Sequence, residues 1–193
     1  QRIRQMGEDP QMIHAIGAPA LDTLRLQTRS LAWKRKAEGP LLLLLHPSSP
    51  DDVLEEKRTT LVLRALLAAK IPFTAIGPNN DPGHTGILRA YTAHRIPLQM
   101  SLSQSDFWQL LTQASLLIGN SSAGIIEAAS FALPVINLGD RQKGRERNPN
   151  VLDVPWSAGN KGIQHAIHFA LTNNPFRRRV ALSKNLYGDG HAA

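Results

Sequence analysis

Small polar residues that could bind a phosphate group follow one short apolar segment of the sequence. Residues 115–118 are followed by Gly119–Gly124, and a helix-like segment begins immediately afterwards. The first N–H groups of a helix are unpaired donors, and small residues allow a ligand to approach them. Ser121 and Ser122 would add hydroxyl donors, and Glu127 could accept hydrogen bonds from both hydroxyls of a ribose. An N-capping serine and a carboxylate that complements the helix dipole explain the same residues equally well.

Three other apolar segments also end in residues that could bind an anion or a nucleoside. Four cations lie in Arg141–Arg147, where Arg141 could bind a diphosphate through two parallel hydrogen bonds. His46 could donate to a phosphate or transfer a proton. Asn79 or Asp81 could contact a base edge or a hydroxyl. The alternatives are a solvated basic loop, a structural histidine and a plain turn.

The elements that must position these residues follow a regular alternation. Continuous apolar runs predict strands at 40–46, 71–76, 96–101, 115–119, 134–138 and 151–154. Helical periodicity predicts helices at 20–32, 51–69, 84–93, 104–113, 123–132 and 161–171. This alternation is typical of an α/β fold, with a Rossmann-like, mostly parallel sheet flanked by helices. Ligands of such folds bind at the carboxyl ends of the strands, where all the residues above are expected.

Composition excludes several classes of function. The 193 residues include no cysteine, which excludes thiolate catalysis and cysteine-ligated zinc and fits a cytoplasmic protein. The histidines lack the spacing of a metal site, no Ser-His-Asp order is present, and no apolar run is long enough for a membrane span. The net charge of +7 fits an anionic partner, but an aromatic content of 5% disfavours nucleic acid. Clusters of basic residues lie at Lys34–Lys36, Arg141–Arg147 and Arg177–Arg179.

Two motifs closely resemble those of the UDP-N-acetylglucosamine 2-epimerases. They are Gly119–Ala128, which reads GNSSAGIIEA, and Val135–Arg145, which reads VINLGDRQKGR. The similarity is greatest to the hydrolysing enzymes, which release N-acetylmannosamine for sialic-acid synthesis. Further segments fit the same family: His46-Pro47, Pro78–Asp81, Asn185–Gly190, Gly7–Pro10 and Gly17–Pro19.

The resemblance implies how this chain would hold UDP and UDP-N-acetylglucosamine. Ser121 and Ser122 would hold the diphosphate, Glu127 the ribose, and Arg141 the phosphate region. Asn79 would contact the nucleotide. No cofactor is expected.

The resemblance also implies a contact to the base and a catalytic residue. The backbone near Leu102 would meet the uracil, and His46 would take part in both diphosphate binding and catalysis. The family's reaction removes the proton at C2 of the sugar and expels UDP. Water then adds to the resulting glycal, and the configuration at C2 is inverted.

The family has two Rossmann-like domains that face each other across a cleft, in the GT-B arrangement. This chain resembles the carboxyl-terminal half, with residues 1–17 as a connector from the amino-terminal domain and residues 18–193 as the nucleotide-binding domain. The acid and base carboxylates of the family lie in the other half, so we expect the isolated chain to be inactive. We expect a homo-oligomer at full length. The alternatives are a domain of another UDP-aminosugar epimerase, a GT-B glycosyltransferase, or a non-catalytic nucleotide-binding module.

Overall fold

The computed structural model describes residues 2–28, 39–100 and 102–192. Their contacts form two compact units, which we call the terminal unit (within Gln1–Ala32 and Tyr187–Ala193) and the sheet unit (within Trp33–Leu186). The terminal unit contains the helices α1 (Arg2–Gln5) and α2 (Ala20–Thr28) and a short 3-10 helix, Pro10–Met12. Its two segments are joined by a hydrogen bond from the Ala18 N–H to the Tyr187 carbonyl oxygen, 2.7 Å long.

The sheet unit is built on six short strands. They are β1 (Leu41–Leu44), β2 (Phe73–Ile76), β3 (Leu98–Gln99), β4 (Leu116–Gly119), β5 (Val135–Leu138) and β6 (Val151–Val154). The order in the sheet is β3-β2-β1-β4-β5-β6, and every neighbouring pair is parallel. The direction of winding therefore reverses between β1 and β4, which is where doubly wound folds bind ligands.

Helices connect the consecutive strands from β1 to β5, and further helices follow β6. They are α3 (Asp52–Ala69), α4 (His84–Ala93), α5 (Gln104–Gln113), α6 (Ser122–Ile126), α7 (Gly159–Thr172) and α8 (Asn174–Leu182). The 3-10 helices Ala128–Phe131 and Trp156–Ala158 complete the described elements of this unit. All four residues of β1 are buried, and so are those of β4 and β5, because helices cover both faces of the sheet. This arrangement confirms the predicted Rossmann-like parallel sheet.

The bounds of the predicted elements are close to the observed ones, except in one helix. The single helix predicted at 123–132 is wrong, because the α-helix ends at Ile126 and a 3-10 helix begins at Ala128. The sequence analysis also missed α8, whose described buried residues are only Phe176 and Val180. The basic residues at 177–179 obscure that two-residue pattern.

Some predictions fall partly outside the described residues. The helix predicted at 20–32 is described as far as Thr28, and the strand predicted at 96–101 is described at Leu98–Gln99. The basic cluster Lys34–Lys36 and residue Ser101 lie outside the described residues.

Candidate functional site

The site is centred on the two strands that flank the reversal of winding, β1 and β4. Asn120, which follows β4, is 1% exposed. Its side chain accepts a hydrogen bond from the backbone N–H of His46 and donates one to the backbone carbonyl oxygen of the same residue, each 2.8 Å long. The amide thus joins the two chain segments beyond the last paired residues of β1 and β4, Leu44 and Gly119, which fixes the backbone of His46.

Gly119 is required for this close approach. A Cβ atom at this position would lie 1.8 Å from the carbonyl oxygen of Leu44, so any larger residue would push β4 away from β1. The glycine of the motif is therefore explained by strand packing, and it brings Asn120 and Ser121 to the end of β1.

His46 is held in one tautomer. Its Nδ1 accepts a hydrogen bond of 3.1 Å from the backbone N–H of Asn79, so the ring proton of the neutral side chain lies on Nε2. The pKa of His46 is lowered to about 4, chiefly by burial and next by the charge of Arg141, while the carboxylate of Asp81 partly opposes both. At neutral pH the side chain is therefore an uncharged N–H donor.

Arg141 joins three of the strand-end loops. Its Nε donates to the Pro47 carbonyl oxygen at 3.1 Å, and one Nη donates to the Asn120 carbonyl oxygen at 3.4 Å. The other Nη lies 3.5 Å from a carboxylate oxygen of Asp81. The neighbouring Gln142, which is buried, donates to the same Asn120 carbonyl oxygen at 2.8 Å. Arg141 is therefore both a structural link and a partly exposed cation at the site.

The loop after β2 contributes polar groups beside His46 and Arg141. The Nδ2 of Asn79 donates to Asp81 at 2.5 Å. Its buried amide oxygen has no partner among the described residues, which leaves an acceptor for a hydroxyl or N–H donor. The sequence pattern left Asn79 and Asp81 as alternatives, and the structure brings both into contact with the loops after β1 and β5.

The other predicted cations of the β5 loop differ from Arg141. Arg147 binds the carboxylate of Asp153, with a shortest distance of 3.0 Å, and donates to two backbone carbonyls of its own loop. Lys143 and Arg145 are exposed. The four cations therefore do not form one cluster, since Arg147 is occupied by protein partners.

Ser121 is the N-cap of α6. Its hydroxyl accepts a hydrogen bond of 3.3 Å from the Ala123 N–H, which is the simpler of the two roles that the sequence allowed. A hydroxyl that accepts in this way still has a proton to donate. Ser122 is half-buried at the first position of α6. The helix is only five residues long, so its N-terminal donors come from one turn.

Glu127 lies at the break between α6 and the 3-10 helix. The break frees the carbonyl oxygens of Ile125 and Ile126, which accept hydrogen bonds from the side chains of Asn148 at 2.9 Å and Asn185 at 2.7 Å. The Glu127 carboxylate accepts a hydrogen bond of 2.6 Å from the indole N–H of Trp108, on α5. Several elements therefore fix the backbone and the side chain of Glu127.

Leu102 is half-buried and lies two residues before α5, next to the N-cap Ser103. It has no described hydrogen bond to His46, Arg141 or Glu127. The described contacts therefore join His46, Asn79, Asp81, Asn120 and Arg141, and they include neither Leu102 nor Glu127.

Sequence reasoning missed three residues that organise the site. They are Asn120, Trp108 and Glu55. Glu55 on α3 is buried, and its carboxylate accepts hydrogen bonds from the Ser48 N–H at 3.2 Å and the Ser48 hydroxyl at 3.0 Å. The available signal was a polar residue directly after a buried strand for Asn120, and no comparable signal marked Trp108 or Glu55.

Two kinds of feature are absent from the described residues. In them, no group of three or more His, Asp or Glu side chains is arranged to hold a metal ion. Over the same residues, no helix combines the length and apolar character needed to cross a membrane.

The solved structures with similar folds include enzymes that act on nucleotide sugars. The crystal structure of a UDP-GlcNAc 2-epimerase from Neisseria meningitidis bound to UDP-GlcNAc superimposes with a TM-score of 0.72 and 17% sequence identity. The match covers 98% of this chain and 55% of that one. At this identity the likeness establishes the fold.

The sequence comparisons are more specific. The UDP-N,N'-diacetylbacillosamine 2-epimerase (hydrolyzing) of Legionella pneumophila is 34% identical over 203 residues, which cover 98% of this chain and 52% of that protein. The UDP-N-acetylglucosamine 2-epimerase of Neisseria meningitidis is 30% identical over 184 residues, with coverage of 91% and 48%. The chain thus spans about half the length of the curated relatives it matches. Residues 1–193 match the family described as UDP-N-acetylglucosamine 2-epimerase, and the chain therefore belongs to that family.

Proposed function

We propose that this chain is the carboxyl-terminal, UDP-binding half of a hydrolysing UDP-N-acetylglucosamine 2-epimerase that serves aminosugar or sialic-acid synthesis. In this proposal residues 18–193 form the nucleotide-binding domain, and residues 1–17 connect it to an amino-terminal domain in a GT-B arrangement. The observation that carries the proposal is the network of direct hydrogen bonds among the loops after β1, β2, β4 and β5. The network brings hydrogen-bond donors together where the winding of the sheet reverses. The chain also belongs to the epimerase family.

The diphosphate would bind where this network presents its donors. The Nε2–H of His46, the guanidinium of Arg141 and the hydroxyls of Ser121 and Ser122 are the groups we assign to it. The hydrogen bonds from Arg141 to two backbone carbonyl oxygens hold its guanidinium group in place before a ligand binds, which reduces the entropy cost of ordering the side chain. Charge-assisted hydrogen bonds to phosphate are about twice as strong as neutral ones, so Arg141 would contribute most.

The nucleoside would extend toward α5. We assign the ribose hydroxyls to the carboxylate of Glu127, which is half-buried and fixed at the helix break. We assign the uracil to the backbone near Leu102, and a further nucleotide contact to Asn79. The unpartnered amide oxygen of Asn79 supports the last assignment, since a buried acceptor without a donor is rare in folded proteins.

His46 would assist departure of UDP as a neutral donor. When a base removes the C2 proton of the sugar, the C1–O bond breaks and its electron pair leaves with UDP. A hydrogen bond from Nε2–H to a phosphate oxygen would stabilise the charge that develops on the leaving group. Water then adds across the C1–C2 double bond of the glycal, with hydroxyl at C1 and a proton at C2, and yields the inverted aminosugar.

This half would hold the nucleotide but would not turn it over alone. The residues assigned above all contact UDP in this proposal, and the carboxylates that it uses are those of Asp81 and Glu127. In the proposal Asp81 faces Arg141 and Glu127 faces the ribose, so neither serves at C2. The acid and base would come from the amino-terminal half, and a homo-oligomer at full length remains part of the proposal.

Titration calorimetry with UDP tests the binding assignment. We expect the folded chain to bind UDP, and the double variant Glu127→Ala with Arg141→Ala to weaken binding by about 100-fold or more, because two charged contacts are lost. The matched control removes Glu56 and Arg89, an exposed ion pair joining α3 and α4 with a distance of 2.9 Å. Absence of binding by the folded wild-type chain would overturn the proposal, and so would undiminished binding by the double variant.

A second substrate is favoured by one comparison. The Legionella pneumophila relative, at 34% identity, is named for UDP-N,N'-diacetylbacillosamine, and the Neisseria meningitidis relative, at 30%, for UDP-N-acetylglucosamine. The longest natural polypeptide that carries this sequence should therefore be assayed with both nucleotide sugars. Release of N-acetylmannosamine and UDP supports the first assignment, whereas activity on the diacetylated sugar alone transfers the proposal to that substrate.

A further inference from the structure

The strongest side-chain contact of Glu127 comes from a residue that no motif identifies. Trp108 is 2% exposed, and its indole N–H donates a 2.6 Å hydrogen bond to the Glu127 carboxylate. The indole N–H is a donor only, so this contact orients one carboxylate oxygen in a single direction. The other carboxylate oxygen has no hydrogen-bond partner within residues 39–100 and 102–192.

The backbone at Glu127 is fixed independently of Trp108. Asn148 and Asn185 bind the two carbonyls just before it, and the Glu127 N–H donates to the Ala123 carbonyl oxygen at 3.0 Å. These bonds set the position of the Cα atom, but they leave the side-chain torsions of Glu127 free. The described contact that fixes those torsions is the hydrogen bond from Trp108.

We propose that Trp108 is a positioning residue for nucleotide recognition, which holds one carboxylate oxygen of Glu127 so that the other meets the ribose diol. This inference rests on the proposed function, because it requires that Glu127 bind the ribose. Trp108 itself does not touch the nucleotide. Its effect is to present the carboxylate in one rotamer and to remove the ordering cost that a free glutamate side chain would incur on binding.

The location of Trp108 supports this role over one in core packing alone. A buried tryptophan commonly finds a partner for its N–H, and a backbone carbonyl would satisfy that requirement. Here the partner is a half-exposed carboxylate at the site. A short, charge-assisted contact of this kind is among the stronger hydrogen bonds in proteins.

The test compares UDP with 2′,3′-dideoxy-UDP, which lacks the diol. We expect the wild-type chain to bind UDP about 10-fold or more tightly than the dideoxy compound, and Glu127→Ala to abolish that preference. Trp108→Phe should reduce the preference to below about 3-fold while affinity for the dideoxy compound changes little. A purely structural tryptophan would weaken both ligands equally or neither.

The matched control is Trp156→Phe, since the described structure gives the Trp156 N–H no hydrogen-bond partner. This variant should retain the wild-type preference. If Trp108→Phe does not fold, replacement of Trp108 by β-(3-benzothienyl)alanine keeps the shape of the indole and substitutes sulfur for the N–H. The same loss of preference is then expected.

The outcomes separate this inference from the proposed function. If the wild-type chain does not bind UDP, or binds both ligands equally, the ribose assignment of Glu127 fails. If the preference exists and depends on Glu127 but survives in both Trp108 variants, the ribose assignment stands and the role of Trp108 is overturned. In the Glu127→Ala background, Trp108→Phe should have no further effect on the preference.

Discussion

The two ends of the sheet are held together in different ways. At the carboxyl ends of the strands, side chains connect different loops: Asn120 binds His46, and Arg141 binds Pro47 and Asn120. At the amino ends, a cavity of about 600 Å³ is lined by Gly39, Pro40, Ile71, Pro72, Ser115, Leu171 and Arg177. Backbone hydrogen bonds connect the strands there, from Leu41 to Pro72 and from Ser115 to Pro40.

The difference favours the carboxyl ends as the end of the fold that binds a ligand. The side chains at the carboxyl ends bind backbone groups of the loops that follow the strands, so these loops are joined by more than the pairing of the strands. Such a network holds polar groups in fixed positions in the absence of a ligand. The amino ends offer space and apolar surface but fewer oriented polar groups. Substitutions at each end of the sheet test whether UDP affinity depends on the side-chain network at the carboxyl ends.

The largest effect is expected from Asn120→Ala. The change leaves the N–H and the carbonyl oxygen of His46 without their present partners, so we expect a loss of about 2–4 kcal/mol in the free energy of unfolding. Because His46 and Ser121 would move, UDP affinity should fall at least about 10-fold even where the chain remains folded. Urea unfolding and calorimetry measure the two effects.

Asn150→Ala is the matched control at the amino ends. Asn150 is fully buried, precedes β6 and donates to the Leu133 carbonyl oxygen at 2.7 Å. Its loss should lower the free energy of unfolding by about 1–3 kcal/mol and leave UDP affinity unchanged. Equal losses of UDP affinity in the two variants would contradict the distinction between the ends.

The next effect is a pH dependence of stability that originates at the carboxyl ends. The folded chain holds the pKa of His46 at about 4, below the value of 6.5 of a free histidine. Between these values the unfolded chain binds more protons, so stability conferred by neutral His46 is present above pH 6.5 and is lost as the pH falls toward 4. We expect a loss of about 1–2 kcal/mol, since the ring is partly exposed.

His46→Asn isolates this contribution. The asparagine oxygen takes the place of Nδ1 as an acceptor for the Asn79 N–H but does not titrate in this range. The fall in the free energy of unfolding between pH 7 and pH 5 should therefore be smaller in the variant. The other six histidines are common to both proteins, so identical pH profiles would show that His46 is not held neutral by the fold.

These effects also indicate how far the sequence could predict the site. Continuous apolar runs located the strands, and strand ends located His46 and Arg141, because a parallel sheet brings all carboxyl ends to one edge. The bonds between the loops were not predictable from spacing. Asn120 and His46 are 74 residues apart, and Arg141 and Pro47 are 94 apart, so their contact depends on strand order.

The break at Glu127 shows a second limit. Residues 123–132 are mostly small and apolar, which predicts one continuous helix, since nothing local ends it. The observed end at Ile126 is stabilised by the side chains of Asn148 and Asn185, which lie outside the segment. Tertiary hydrogen bonds therefore override local helix propensity at the residue that we assign to the ribose.

A smaller effect is expected from a change at Asp81, whose carboxylate pairs with Arg141 within the network. Asp81 lies 3.5 Å from Arg141, and its side chain is 55% exposed, so the pair competes weakly with a bound phosphate. Asp81→Asn should therefore increase UDP affinity by about 2- to 5-fold, because Arg141 no longer loses a carboxylate partner on binding. Calorimetry at two salt concentrations should show the gain diminish at high salt. A decrease in affinity would instead assign Asp81 a direct contact with the nucleotide.

The smallest effect is expected from Arg177→Ala, at the rim of the amino-end cavity. Strands of four residues separate the two edges by roughly 13 Å, which exceeds the screening length of about 8 Å at physiological salt. UDP affinity should therefore change by less than about 2-fold at that salt concentration, although the chain loses one positive charge. Lys143→Ala removes the same charge from the exposed loop after β5 and should weaken binding more. If the two variants behave alike, the net charge of +7 rather than the placement of cations at the carboxyl ends determines affinity.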